Sequence, residues 1–438
     1  MSVQEASAHS VQSPVEDDTK NQDKDKDKDK DTDNMKSHTK STLLRLAERV
    51  HYKLLSIFPR NPVPQTVVKP NTHPDLRGEA LTLATQLDGK TFRLPDLWQL
   101  FSEWPLAANP HAERLERLVD SLLERIITNE KKLRALKKAD FGRLMSLWYP
   151  DAEWPELEIA TAYSVWIFVW DDEVDAGDTD VSNDEELARA YYQKSLSTVH
   201  RLLGLDEGEV DEDLIAKEEA NLHPNMALFA DVGRGLRKST DRIQRERFYR
   251  ELEGFMVSVG VEHGQRMRGL IPTVEKYLHI RSGSVGCAPQ IALTDHMLKV
   301  RLPETIMEGA PMKKLWKETI VMCLILNDIY SVQKEIAQAS LFNLVPVMYK
   351  NCSPKKKSLD TVTRGIEAAL RESMKGFENA AKDLESMASD NAEVSRDVQA
   401  FIKWCRHFIT GVLQWSLESK RYGMADCLHK DGSLSIVL

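Results

Sequence analysis

The sequence predicts an all-α protein built as one large helical bundle, and three observations support that fold class. Apolar residues recur at spacings of three and four along most of the chain after residue 40, whereas the alternating runs typical of strands are absent. Glycine supplies 20 and proline 18 of the 438 residues, a smaller share than the roughly 12% of average proteins, so helix breakers are few. Hydrophobic residues make up 42% of the chain, which is enough for a sizeable core.

Helical periodicity is clearest in five segments, and prolines separate several of them. The predicted helices include residues 115–136, 157–170, 248–267, 315–336 and 398–417. Proline lacks a backbone N–H and ends or kinks helices, so proline-containing stretches are predicted to be connections. These stretches are 59–74, 105–110, 150–155 and 303–311.

The chain divides into a charged tail and one folded region. Residues 1–40 contain alternating Lys and Asp between positions 23 and 31 and very few aliphatic side chains, so they are predicted to be disordered. Residues 41–438 show no internal repeat and no sharp change of composition. They are therefore predicted to form a single α-helical domain.

Charge and composition exclude several classes of function. The formal net charge of −9 argues against non-specific nucleic-acid binding, which needs a basic surface. No run reaches eighteen apolar residues, so no membrane span is expected. The first residues lack the apolar core of a secretory signal, and the five cysteines include no Cys-x-x-Cys pair, which favours a cytoplasmic protein.

The apolar segment 157–170 ends in a cluster of carboxylates. Asp171, Asp172, Glu173 and Asp175 fall within five residues, where like charges one turn apart repel unless a cation lies between them. Asp171 and Asp175 share one helix face and Asp172 flanks them. Carboxylate oxygens at this spacing suit Mg²⁺. Taken alone, this DDxxD pattern is also compatible with a solvated helix end.

A second polar row interrupts the apolar segment 315–336. Asn327, Ser331 and Glu335 occur at i, i+4 and i+8, so they lie along one stripe of the helix. Together they offer an amide, a hydroxyl and a carboxylate oxygen to one metal ion. A buried amide or carboxylate without a partner is costly, so these side chains must face polar groups. The alternative interpretation is a hydrogen-bond network between helices.

The order of these motifs resembles that of the class I terpene synthases, particularly the fungal single-domain sesquiterpene cyclases. DDxxD at 171–175 is followed by NDxxSxxxE at 327–335, and Arg281 lies 46 residues before Asn327, where the family's diphosphate-sensing arginine is expected. Arg421 and Tyr422 resemble the family's carboxy-terminal Arg-Tyr pair. The resemblance covers roughly residues 138–425.

The resemblance implies a class I terpenoid synthase-like helical bundle around a central apolar cavity, with three Mg²⁺ ions when an isoprenoid diphosphate is bound. The implied metal ligands are Asp171 and Asp175, with Asp172 as a further candidate, and Asn327, Ser331 and Glu335. The implied diphosphate-binding residues are Arg281, Lys334, Arg421 and Tyr422.

The same resemblance implies catalytic and cavity residues. Asp171 and Arg281 take part in ionisation, and Val285 is the effector, acting through its backbone carbonyl at a helix break in 282–286. Ser284 departs from the pattern, because relatives often carry an acid there. Phe168 and Trp415 are expected to line the cavity, whereas helix packing is favoured for Trp404 and Phe408.

The implied reaction is Mg²⁺-dependent ionisation of farnesyl diphosphate, followed by carbocation cyclisation to a sesquiterpene hydrocarbon or alcohol. The first alternative is a diterpene cyclase that uses geranylgeranyl diphosphate. A chain-elongating prenyltransferase would carry a second DDxxD where this chain has Asn327 to Glu335. A non-enzymatic helical scaffold is the remote alternative. The expected partner is the small-molecule diphosphate alone, bound by a monomer or homodimer.

Overall fold

A computed structural model describes residues 76–175, 179–206, 215, 217 and 221–438 of the chain. The predicted tail, residues 1–40, and the first predicted proline connection, residues 59–74, lie outside the described residues. Among the helices that are described, none combines the length and the apolar character needed to cross a membrane.

The described chain is mainly α-helical, which confirms the predicted fold class. The helices are α1 (Gly78–Leu87), α2 (Ala112–Ile126), α3 (Glu130–Lys137), α4 (Phe141–Trp148), α5 (Trp154–Asp175), α6 (Asp180–Asn183), α7 (Glu185–Leu202), α8 (Pro224–Ser239), α9 (Arg242–Met267), α10 (Val274–Ser284), α11 (Cys287–Ala292), α12 (Thr294–Leu298), α13 (Glu304–Met307), α14 (Ala310–Ala337), α15 (Leu344–Asn351), α16 (Leu359–Met387) and α17 (Ala392–Glu418). Single 3₁₀ turns occur at Leu97–Gln99, Pro354–Lys356 and Met424–Asp426.

Two short strands form a ribbon that the sequence did not predict. Strand β1 (Thr91–Leu94) pairs antiparallel with β2 (Leu434–Val437), with Phe92 opposite Ile436. Each strand has only four residues, which is too short for an alternating pattern to stand out, and the partners lie at opposite ends of the described chain. The ribbon buries Phe92 and Ile436 completely.

The predicted helix over 115–136 is two helices. Helix α2 ends at Ile126 and α3 begins at Glu130. Asn129 caps α3, because its side-chain oxygen accepts a hydrogen bond from the backbone N–H of Lys132. Thr128 and Asn129 disfavour the helix interior, so the helix is interrupted there. The apolar spacing continues on both sides of them, and a prediction from spacing alone therefore gave one continuous helix.

Helices α4, α5, α9, α10, α11, α14 and α17 enclose the region where the predicted site residues lie. Helix α5 is anchored by Tyr163, Trp166 and Trp170, whose side chains are fully buried. Helix α14 packs along α16 and α17, and α9 packs along α10 and α11. The long helices therefore fix both predicted metal motifs on rigid elements.

The predicted helix break in 282–286 lies near the end of that range. Helix α10 continues to Ser284, Val285 caps it, and Gly286 has φ +74° before α11 begins at Cys287. That backbone conformation disfavours residues with a Cβ, so glycine permits the sharp change of direction here.

Two helix glycines allow the packing to be tested. A Cβ on Gly233 would overlap the backbone carbonyl of Leu202, so Gly233→Ala should lower the free energy of unfolding by about 1–3 kcal/mol. Gly254 is exposed and has no atom within 4 Å of the added Cβ, so Gly254→Ala should raise it by up to about 1 kcal/mol. Urea unfolding measures both, and a Gly233→Ala variant as stable as the parent would contradict the close approach of α7 and α8.

Candidate active site

One cavity brings the two predicted metal motifs together. Its wall includes Asp171 and Asp172 from α5 and Asn327, Ser331 and Glu335 from α14. Apolar and aromatic side chains form much of the remaining wall, among them Leu144, Trp148, Ile167, Phe255 and Val412. The cavity therefore combines oxygen donors with an apolar interior.

The acidic end of α5 is tied to neighbouring elements. Lys132 Nζ of α3 lies 2.9 Å from Glu173 Oε1, and Arg266 Nη2 of α9 donates a hydrogen bond to the Val174 carbonyl at 2.6 Å. These contacts hold the helix end, and Asp171 and Asp172 of the same turn line the cavity. The structure describes Asp175 as the last residue of α5 but does not describe its side chain, so its predicted role as a ligand stays a prediction.

The polar row of α14 faces the cavity with one unsatisfied hydroxyl. Ser331 is buried, and its Oγ has no hydrogen-bond partner among the described residues. Buried polar atoms normally have partners, so a partnerless Oγ in a row with Asn327 and Glu335 is suited to a bound cation. No three His, Cys, Asp or Glu side chains of the described residues converge as a metal site.

Asn343 holds Glu335, and sequence reasoning did not find it. The Asn343 amide donates to Glu335 Oε2 at 2.9 Å and to the backbone carbonyl of Asp328 at 2.8 Å. Its own oxygen accepts from the N–H of Val345, where it caps α15. A side chain that is fully buried and makes three such bonds fixes the carboxylate relative to α14. An asparagine just before an apolar helix reads only as a cap in the sequence.

Arg281 connects α9, α10 and α14 through its guanidinium. Its Nε donates to Asp328 Oδ1 at 3.0 Å, its Nη2 donates to Asn327 Oδ1 at 2.7 Å, and its Nη1 lies 3.7 Å from Glu262 Oε2. Burial lowers the pKa of Arg281, but the carboxylates of Asp328 and Glu262 outweigh that effect and raise it. The side chain therefore stays cationic inside the protein.

Asp328 is the buried counter-ion of this arginine. Burial raises the pKa of its carboxyl to about 6, although Arg281 and the Tyr277 hydroxyl, which donates to it, favour the charged form. The sequence motif contains Asp328, but only the structure shows that it faces Arg281 and not the polar row.

Glu262 supplies an acid beside the unusual Ser284. The Ser284 hydroxyl donates to Glu262 Oε2, the same oxygen that lies near Arg281. Glu262 lines the cavity from α9. A carboxylate from a neighbouring helix therefore lies where the sequence comparison expected an acid on α10 itself.

The Arg-Tyr pair and Lys334 also lie at the cavity. Arg421 Nη2 lies 3.4 Å from Asp172 Oδ1, and the Tyr422 hydroxyl accepts a hydrogen bond from Asn327 Nδ2 at 3.3 Å. Burial raises the pKa of Tyr422, so its hydroxyl is neutral and able to donate. Lys334 is part of the cavity wall.

Aromatic rings surround the Arg421 guanidinium. Phe168 and Trp415 both line the cavity, and Phe141 stacks on Phe168 with ring centroids 4.4 Å apart. The guanidinium carbon lies 5.7 Å from the Phe168 centroid. Trp415 is held in place because its indole N–H donates to the Ala139 carbonyl at 2.8 Å. These contacts attach the cation to the apolar wall.

Three further predicted residues have distinct positions. Val285 lines the cavity at the helix break. Trp404 packs against Tyr149 and Phe408, with ring centroids 5.7 Å and 5.1 Å apart, and is not part of the cavity wall. Phe408, for which helix packing was favoured, does line the cavity, so that interpretation was incomplete.

The sequence is similar to one known protein family and to named enzymes. Residues 162–372 match the family described as "Terpene synthase family 2, C-terminal metal binding". The chain is 27% identical to the sesquiterpene cyclase hepA of Aspergillus oryzae, over 81% of this chain and 96% of that protein. It is 25% identical to the sesquiterpene synthase Agr1 of Cyclocybe aegerita, over 67% and 77% respectively.

Solved structures share the fold. An α-eudesmol synthase superposes with a TM-score of 0.61 at 17% identity, covering 72% of this chain and 97% of that chain. A linalool/nerolidol synthase from Streptomyces clavuligerus gives a TM-score of 0.59 at 16% identity, covering 73% and 98%. The family match, the relatives and the fold agree with the motif order, and together they support an enzyme of the class I terpene synthases of the fungal sesquiterpene cyclase type.

Proposed function

We propose that the enzyme ionises farnesyl diphosphate with the help of Mg²⁺ and cyclises the resulting carbocation to a sesquiterpene, releasing diphosphate. The observation that supports this proposal most strongly is the shared cavity. Asp171 from α5 and the row from Asn327 to Glu335 on α14 line it together with aromatic side chains. Such a cavity suits a substrate with an anionic head and an apolar chain.

The proposed metal ligands are the two rows of oxygen donors. Asp171 and Asp175, with Asp172 nearby, would hold two ions, and Asn327, Ser331 and Glu335 would hold a third. Bound Mg²⁺ supplies Lewis-acid stabilisation of the leaving diphosphate. The partnerless Oγ of Ser331 supports this assignment, because a hard cation prefers oxygen ligands.

The fixed cations would bind the diphosphate directly. Arg281, Lys334 and Arg421 line the cavity and can donate charge-assisted hydrogen bonds to phosphate oxygens. Tyr422 adds a neutral hydroxyl. Donors that are already positioned stabilise negative charge as it develops, which is a major contribution to such a step. Val285, at the break after Arg281, would then present its backbone carbonyl to the cation.

The apolar wall would protect the carbocation. Aromatic faces exclude water and attract a nearby cation by about 0.5–2 kcal/mol each. Phe168, Trp415 and Phe408 line the cavity and can do both. The wall shape formed by these rings would guide ring closure.

Several finer assignments belong to the same proposal. The two relatives named above are called sesquiterpene enzymes, which favours the fifteen-carbon substrate over geranylgeranyl diphosphate. The five cysteines are free thiols, as expected for a cytoplasmic protein. We infer a single helical domain over 41–438 that works as a monomer or homodimer.

The direct test is turnover by the purified protein. It is incubated with farnesyl or geranylgeranyl diphosphate, with Mg²⁺ or with a chelator, and the volatile products are analysed by mass spectrometry. We expect cyclic fifteen-carbon products only with Mg²⁺ and farnesyl diphosphate. Products of chain elongation, or turnover that persists in excess chelator, would contradict the proposal.

Ser331→Ala should separate function from stability. Removing a buried hydroxyl without a partner loses no hydrogen bond, so the free energy of unfolding should stay the same or rise. Turnover should fall by at least about 100-fold, because a metal ligand contributes more than an outer-shell partner. Ser416→Ala is the matched control, since Ser416 is also a buried partnerless hydroxyl but does not line the cavity. Equal turnover in the two variants would remove Ser331 from the ligand set.

Asn343→Ala should weaken Mg²⁺ binding without removing a proposed metal ligand. Glu335 would lose the donor that orients it, so the Mg²⁺ concentration for half-maximal turnover should rise by about 10–100-fold. Asn351→Ala serves as the control, because Asn351 also bonds backbone carbonyls from α15 but touches no proposed ligand. Mg²⁺ dependence is measured by titration at saturating substrate. An Asn343→Ala variant with the parent's dependence would show that Asn343 is a structural cap alone.

A further inference from the structure

A small polar cluster interrupts the apolar wall of the cavity away from the metal motifs. Ser164 of α5 and Gln290 of α11 both line the cavity, and their side chains are almost completely buried. The Gln290 amide N–H donates to the hydroxyl of Tyr149. Polar groups in a cavity that must hold a carbocation need a specific explanation, since burying them is costly.

The cluster lies deep relative to the ionising end. Ser164 precedes Asp171 by seven residues on α5, which corresponds to two helical turns or about 10 Å. Ile167 and Phe168 line the wall between them. The cluster is therefore placed beside the hydrocarbon part of a bound substrate, whose diphosphate would lie at Asp171.

The hydrogen-bonding capacity of the cluster is only partly used. The Ser164 hydroxyl donates a long hydrogen bond of 3.5 Å to Gln290 Oε1. These contacts leave lone pairs on Ser164 Oγ and Gln290 Oε1 that could accept hydrogen bonds from a water molecule beside them. Ser164 and Gln290 thus offer two polar partners, the smallest number that an ordered water requires.

We propose that Gln290 and Ser164 bind a water molecule that ends the cyclisation, so that the main product is a terpene alcohol. This inference rests on the proposed function, because it needs the carbocation formed there. Tyr149 fixes the orientation of the Gln290 amide, so that Oε1, which also accepts from Ser164, keeps a second lone pair to accept a hydrogen bond from the water. The water oxygen then has a lone pair directed into the cavity.

The proposed step adds one water molecule to the carbocation and then removes one proton. A lone pair of the water oxygen forms a C–O bond to the cationic carbon, which gives a protonated alcohol. That oxonium group loses one proton along its hydrogen bond to Gln290 Oε1, and the final acceptor is the released diphosphate, the strongest base that the reaction supplies. No oxidant or reductant is required, and one water is consumed for each alcohol formed.

The experiment measures oxygen incorporation separately from ionisation. The parent, Gln290→Leu and Ser164→Ala are incubated with farnesyl diphosphate and Mg²⁺ in H₂¹⁸O, while diphosphate release and labelled alcohol are quantified. Val412→Ala is the control for a change of cavity shape without loss of a polar group, because Val412 also lines the wall. Thermal unfolding shows whether each variant folds.

The expected parent product is an alcohol that carries ¹⁸O. Gln290→Leu should lower the ratio of alcohol to hydrocarbon by about tenfold, as expected for the loss of one hydrogen bond, while diphosphate is still released. Ser164→Ala should lower the same ratio and decides the question if Gln290→Leu does not fold. Val412→Ala should keep the oxygenated share.

Three results would overturn the inference. Hydrocarbon products alone from the parent, or alcohol without ¹⁸O, would exclude capture of solvent water and leave the proposed ionisation intact. An unchanged alcohol ratio in the folded variants would exclude Gln290 and Ser164 as the water site. Absence of diphosphate release from the parent with both prenyl diphosphates would instead reject the proposed function and this inference with it.

Discussion

The arrangement of the site depends on the contacts of one buried group, the guanidinium of Arg281. It joins Glu262 of α9, its own helix α10 and the Asn327–Asp328 pair of α14 in one network. A cation buried this far needs counter-ions and acceptors, and removing one partner would leave an uncompensated charge. The same guanidinium donates a hydrogen bond to Asn327 Oδ1, the amide oxygen that a metal ion would use as a ligand. Ligand binding and the position of three helices are therefore coupled through one side chain.

The cavity separates two environments along the same helices. Helix α5 presents Ser164, Ile167 and Phe168 before it reaches Asp171, and α17 presents Phe408 and Trp415 before the chain reaches Arg421. Charge is thus concentrated where a diphosphate would leave, and aromatic surface lies where a carbocation would form. Because Asp171, Asn327 and the aromatic side chains lie on long, well-packed helices, the fold fixes the distance between the two environments.

Local spacing predicted most of the long helices and placed the two polar rows on them, whereas the resemblance to the terpene synthases implied the cavity positions of Phe168 and Trp415. Sequence reasoning could not find contacts between distant residues. Asn343 is indistinguishable from an ordinary helix cap until the structure places it against Glu335. The contact of Glu262 with Ser284 depends on how α9 packs along α10. The β1–β2 ribbon was missed for the same reason, since its short strands meet across almost the whole described chain.

Thermal unfolding with Mg²⁺ and inorganic diphosphate tests whether the two rows of oxygen donors form one metal-diphosphate site. Asp171, Asp172 and Glu335 would repel a diphosphate on its own, and the diphosphate supplies ligands that Mg²⁺ needs to bind tightly. A ligand of the native state raises its apparent stability by about 2.7 kcal/mol at one hundred times its Kd. We expect a clear increase in Tm with Mg²⁺ and diphosphate together and little change with either alone. An equal increase with diphosphate in the presence of a chelator, or no increase with both, would contradict the assignment of these oxygen donors to a metal-diphosphate site.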